Sequence, residues 1–250
     1  MINFHTPSAL RMLSVFFIMA VWQVIALLSG YDLLPGPVQV LTRIWTVLND
    51  GSLIFHLAIT LRRVIFSFVI AMMIGTVVGI VMGSRKKFDA FLDGVLILGL
   101  NIPALVVIIL CYIWFGLTEI AAIVAVAVNK IPLVIVTLRE GARSIDKDLM
   151  NVARVYKVSK TDTFVKVYMP QLYPYLLVAS RNGLALIWKI VLVVELLGRS
   201  DGVGFQLGTF FQFFDIEGIL AYTFAFIFVI LLFESLIMRP LEKYLSRWRE

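Results

Sequence analysis

The stretch NVARVYKVSKTDTFVKVYMP, residues 151–170, sets Arg154, Lys157, Lys160, Asp162 and Lys166 into a chain that is apolar along most of its length on either side. Of 250 residues, 61% are hydrophobic and 15% are charged, whereas a soluble domain is about 25% charged. That apolar excess marks an integral membrane protein, and a charged, helix-forming insert inside it needs a reason. The single cysteine, Cys111, excludes a disulfide framework within one chain. His5 and His56 lie far apart, and no His/Cys cluster with metal-ligand spacing is present.

Working outward from the insert, a spanning helix takes about 20 mainly apolar residues. Six segments qualify: 11–29, 62–83, 94–115, 118–138, 174–197 and 218–238. The third contains Pro103 and the fourth Pro132. Met12 to Leu28 is not followed by a small-residue cleavage site and reads as a retained helix. Pro35 and Pro37 stop that first helix. Val38, Leu41, Ile44, Trp45 and Leu48 then fall on one helical face, so residues 36–50 are expected to form an amphipathic interfacial helix. Residues 60–240 make the main membrane body.

Orientation follows from the distribution of lysine and arginine. With the N-terminus cytoplasmic, fifteen of them fall on the inner side and only four (Arg43, Arg62, Arg63 and Arg199) on the outer side. Lys130, Arg181 and Lys189 fall within spans. Both termini, residues 1–10 and 241–250, are therefore expected in the cytoplasm, and the net charge of +6 marks a membrane face rather than a nucleic-acid partner.

The opening stretch then belongs to the longest inner loop, residues 139–173. Leu149, Val152, Ala153 and Tyr156 share one helical face, and Asp146 and Asp148 stand at its start, where acids are favoured. Ser159, Thr161 or Asp162 can cap a second short helix running to Pro170, with a turn near Val158 to Lys160. Two readings of these residues stay open, a helical loop resting on the membrane surface and a docking element for a cytoplasmic partner.

The frame Asn151-Val152-Ala153, Lys157, Val167 and Met169-Pro170 resembles the cytoplasmic signature of permease subunits of ATP-binding-cassette (ABC) importers: E-A-A-x-x-x-G, nine residues, then I-x-L-P. Asn151 stands for the acid, Lys157 for the glycine and Met169 for the leucine. The segments GIVMGSRKKFDAFLD, IPALVVIILCYIWFGLTEIAAI and VVELLGRSDGVGFQL are similar to the nitrate, sulfonate, taurine and bicarbonate group of these permeases, in the same order. The likeness runs over residues 20 to 240.

The resemblance implies an all-α membrane protein of the type I ABC importer permease fold, with about six transmembrane helices, in the cell inner (plasma) membrane. It implies a homodimer, two cytoplasmic ATPase subunits, an extracytoplasmic solute-binding protein and a small anionic solute. Residues 148–160 would form a coupling helix, with Asn151, Val152, Ala153, Arg154, Tyr156, Lys157, Val158, Ser159, Lys160 and Pro170 at the ATPase contact. A lysine in place of the turn glycine costs conformational freedom and predicts a turn of different shape. No G-x-x-x-x-G-K-[ST] loop occurs, so ATP and Mg²⁺ are expected on a separate ATPase chain. No cofactor and no catalytic constellation are expected on this one.

Ionisable residues inside spans are functional candidates by default. Lys130 and Lys189 either snorkel or form ion pairs between subunits, or they line the solute pathway and attract an anion. Asn101 beside Pro103, Asn129 beside Pro132, Trp188 and Glu195 complete the pathway candidates, with packing as the alternative for each. Gly75, Gly79 and Gly83 read as a small-residue packing stripe; Trp22, Trp45, Trp114 and Trp248 read as interfacial anchors. Arg62 and Arg63 are open to lipid headgroups, the amphipathic segment or a binding protein. Against the importer stands an ion-coupled secondary transporter using Lys130, Lys189 and Glu195 as a charge relay. A membrane-embedded enzyme would need a polar cluster that this chain lacks.

Overall fold

The computed structural model describes residues 7–29 and 34–246; His5 and Trp248 lie outside them. Every regular element among the described residues is helical: α1 Pro7–Leu28, α2 Pro37–Asn49, α3 Ser52–Ser84, α4 Lys86–Asn101, α5 Ala104–Phe115, α6 Glu119–Arg143, α7 Lys147–Val155, α8 Lys160–Thr163, α9 Met169–Gly198, α10 Val203–Gln212, α11 Ile216–Phe233 and α12 Arg239–Ser246. Among the described residues, four stretches are long and apolar enough to cross a membrane, Ser52–Ser84, Glu119–Arg143, Lys160–Gly198 and Ile216–Lys243, with the bent pair α4–α5 as a fifth if it counts as one span.

The core is built on α3, α6 and α9. Helices α3 and α6 run parallel, and the glycine stripe of α3 is the contact. A Cβ on Gly75 would fall 2.5 Å from Val134 Cβ, one on Gly79 2.8 Å from the Ile135 carbonyl oxygen, and one on Gly83 2.5 Å from the Arg139 carbonyl oxygen. Small residues let two backbones approach where lipid supplies no hydrophobic drive for association. Helix α9 lies antiparallel to both. At one end of the bundle, Ser84 meets Tyr168 and Ser144 meets Tyr175. At the other end, Arg63 meets Glu119 and Glu195. The first is called the α7 end below, the second the α10 end.

Several expected spans change on folding. The second begins ten residues earlier than its apolar run, at Ser52, because Thr60 and Arg63 are fully buried within the protein rather than lying at its surface. The third is not one rod. Ile102 and Pro103 both take extended backbone (ψ 125° and 134°), and α4 meets α5 at 98°. Proline lacks an amide proton, and it pushes the preceding residue out of the helical region. Pro132, in contrast, sits inside an unbroken α6.

The helix expected to stop at Pro170 instead continues as one rod from Lys160 to Gly198. A wide π turn, Phe164–Tyr168, absorbs the proline: Met169 N donates to Phe164 O, five residues back. The same device recurs at Glu234–Met238, just ahead of Pro240. The connection between the expected spans 174–197 and 218–238 contains α10. Helix α2 packs Val40 and Val47 inward and leaves Val38, Leu41 and Trp45 exposed. The predicted apolar face is thus the outward one, as suits a helix lying in a lipid interface.

Candidate functional site

At the α7 end, α7 begins on Asp146, whose carboxylate accepts from Asp148 N at 2.7 Å and Leu149 N. It ends in a Schellman motif: Val158 N donates to Ala153 O and Lys157 N to Arg154 O, both at 3.0 Å. Such a turn needs a left-handed residue, and Lys157 supplies it at φ 51°. Lys157 thus takes the left-handed conformation at the position where the resemblance expects a glycine. Ser159 caps α8 by accepting from Asp162 N and donating to Asp162 Oδ2 at 2.6 Å. Asp162 pairs in turn with Lys166.

Of the contact residues expected here, Ala153 alone is buried. Asn151, Val152, Arg154, Tyr156, Lys157, Val158, Ser159 and Lys160 are exposed, and Pro170 is half-buried. Tyr156 is 79% exposed and Val155 77%. A cleft of about 440 Å³ between α7 and the following rod is floored by Met150, Val158, Phe164 and Tyr168 and edged by Arg154 and Lys160. Val155 and Tyr156 thus form an exposed apolar patch with the exposed cations Arg154, Lys157 and Lys160 beside it. Arg139 bonds Asp93 at 2.7 Å and Arg143 bonds Asp89 at 2.5 Å, so the end of α6 is strapped to α4 beside it.

Within the bundle the candidate pathway residues separate. Lys189 is exposed on α9, in a stripe with Asn182, Ala185, Leu186 and Val193. Lys130 is fully buried, its stem lies against Gly183, and its Nζ has no hydrogen-bond partner among the described residues. Trp188, 5% exposed, is set edge-on to Phe226 and Phe233 and belongs to the core. Asn101 and Asn129 turn back on their own helices, donating to Ile97 O and Ala125 O at 2.8 Å.

Glu195 is engaged elsewhere. Its Oε1 accepts from Arg63 Nη1 at 2.8 Å, and its Oε2 accepts from Thr60 Oγ1 and Gly204 N, each at 2.9 Å. Gly204 lies in the first turn of α10, so Glu195 acts as a carboxylate at a helix N-terminus, where charge and free amides favour an anion. Arg63, fully buried, also bonds Glu119 at 2.7 Å, the Asp201 carbonyl at 2.9 Å and the Asp201 carboxylate. His56 accepts from Gly202 N at 3.0 Å and Thr60 from Val203 N at 2.8 Å. Reading the chain placed Arg63 at a helix end and missed Glu119 and Asp201. The available signal was the Arg62-Arg63 pair opening an apolar run. The relay expected from Lys130, Lys189 and Glu195 is not assembled.

The parallel α3 and α6 pair, the broken α4–α5 segment and the exposed basic loop make a polytopic, all-helical membrane protein among the described residues. The family model for the binding-protein-dependent transport system inner membrane component matches residues 71–248, and the chain belongs to that family. It is 32% identical to the putative aliphatic sulfonates transport permease protein SsuC of Bacillus subtilis, over 93% of this chain and 84% of that protein. It is 30% identical to the nitrate import permease protein NrtB of Synechococcus elongatus, over 75% and 71%. It is 28% identical to the taurine transport system permease protein TauC of Escherichia coli, over 92% and 86%. The chain is thus the permease subunit of an ABC importer, a multi-pass inner membrane protein that works with a solute-binding protein and ATPase subunits. A secondary transporter is not favoured.

Proposed function

We propose that two copies of this chain enclose the pathway for a small oxyanion, with α9 of each copy facing the other. The observation that carries this is Lys189. It is exposed on a single protomer, nine residues before the end of a membrane-length helix. A lysine at that depth is costly against lipid and is found facing a bundle interior or a water-filled cavity. A second copy across the α9 stripe provides such a setting, and Asn182 and Ala185 beside it leave room for a polar solute. Sulfonates, nitrate and taurine, the solutes in the relatives' names, each present a compact group of anionic oxygens that an ammonium attracts.

The reading places α7 and both termini in the cytoplasm. Residues 148–160 then dock as a coupling helix on the ATPase, with Val155 and Tyr156 inserted and Arg154, Lys157 and Lys160 at the rim. ATP and Mg²⁺ act on the ATPase subunits, and this chain is non-catalytic. The test is uptake of taurine, an alkanesulfonate and nitrate into proteoliposomes holding the copurified complex. Lys189→Met is expected to lower uptake by about tenfold or more and Lys189→Arg to retain most of it, since a hydrogen bond to a charged group is worth about 1.5–3 kcal/mol. Undiminished uptake by Lys189→Met would remove Lys189 from the pathway.

A further inference from the structure

We infer that Arg63 and Glu195 are positioning residues that join α10 permanently to α3 and α9, so that the α10 end of each protomer moves as one rigid block during transport. The ground is how completely this cluster is satisfied. Arg63 and Glu195 are both wholly buried, and both carboxylate oxygens of Glu195 are used. Three arginines (Arg62, Arg63, Arg199) face three acids (Glu119, Glu195, Asp201), leaving the cluster neutral. Opening it would strand a buried guanidinium and a buried carboxylate, which is the costly way to break an ion pair.

Backbone contacts reinforce the joint. The three successive amides that start α10 (Gly202, Val203, Gly204) are taken by His56, Thr60 and Glu195, all from other helices. Gly204 approaches α9 so closely that a Cβ there would lie 2.8 Å from Glu195 Cβ. The α7 end differs. Its straps, Arg139 to Asp93, Arg143 to Asp89 and Arg181 to Glu234, each include a partly exposed side chain, and such pairs exchange at little cost. The bend at Ile102–Pro103 supplies a break in the α4–α5 segment. Rearrangement is therefore assigned to the α7 end and to that bend, and α10 does not swing independently.

The experiment places spin labels at Phe55 on α3 and Phe211 on α10, both exposed. Labelled chain is diluted with unlabelled chain in the reconstituted complex, and the distance is measured nucleotide-free, with ATP and after vanadate trapping. One unchanged distance distribution in all three states is expected. A shift larger than its width would overturn the inference. Arg63→Lys keeps the charge and loses the fork. It is expected to broaden the distribution and to uncouple, with ATP hydrolysis becoming independent of binding protein while uptake falls. Asp201→Asn, which removes one partly exposed partner, is expected to do the same more weakly and serves if Arg63→Lys does not fold. Intact coupling and an unbroadened distance in the folded variants would also overturn it. Absence of ATP-driven uptake by the unsubstituted complex would instead refute the importer reading.

Discussion

Replacing Lys157 by glycine, with alanine as control, separates the backbone demand of the turn between α7 and α8 from its charge. Lys157 holds φ 51° so that two amides can close the end of α7. A residue with a Cβ loses roughly 1–2 kcal/mol in that region. Glycine avoids this but surrenders roughly 0.5–1 kcal/mol of extra freedom in the open chain. The difference leaves Lys157→Gly more favourable by about 0.5–1 kcal/mol, or roughly a two- to fivefold slower opening of the turn. Hydrogen exchange at the Lys157 and Val158 amides reads this directly, because both are donors in the motif. Lys157→Ala serves as the control, since it removes the charge but keeps the Cβ, and it is expected to leave exchange unslowed. If alanine slowed exchange as much as glycine, relief of charge crowding with Arg154 and Lys160 would be the cause and the backbone argument would fail. If glycine failed to slow it, the turn would not be limited by the left-handed residue at all.

Gly79→Val should destabilise the protein by about 1–3 kcal/mol, because its Cβ would meet backbone at Ile135 rather than a yielding side chain; thermal unfolding in detergent measures it, and an unchanged midpoint would mean that α3 and α6 are not in this register. Lys130→Met removes an ammonium that has no partner and is expected to raise stability by about 1–3 kcal/mol. Uptake should survive it, in contrast to Lys189→Met, and a joint loss of uptake would put both lysines on the pathway.

Periodicity and composition made the long helices legible. The apolar runs of α3, α6, α9 and α11 show in the sequence because lipid imposes a length and an absence of charge. The caps were legible too, since Asp146 and Ser159 are short acceptors standing just before helical patterns. Prolines were harder to read. Pro103, Pro132 and Pro170 are alike in sequence, yet one breaks a helix, one is carried within it and one is absorbed by a π turn. The outcome depends on whether neighbouring elements hold the flanking residues helical. Ile102 and Pro103 both adopt extended backbone, whereas the residues before Pro132 lie within the α6 contact with α3.

Glu195 shows why a charge inside a span can mislead. Depth in the membrane made it a pathway candidate by the same argument that selected Lys189. That argument establishes only that a charge must face something polar. For Lys189 the described residues supply no counterpart, which is why its polar surroundings are assigned to a second copy. For Glu195 the protomer supplies Arg63 from well over a hundred residues away, Thr60 from the same helix, and an α10 amide. Sequence spacing cannot reveal such pairing, because it depends on α3 crossing α9 at one particular height. That height is fixed chiefly by the α3–α6 glycine contact and the α6–α9 packing. A shift of α3 by one turn, about 5.4 Å, would separate the guanidinium from all three carboxylates. The glycine stripe and the ion cluster thus depend on one register. Gly79→Val should accordingly weaken the α10 block as well as the α3–α6 contact, and it should broaden the Phe55–Phe211 distance even though Gly79 touches neither label nor any charge in the cluster.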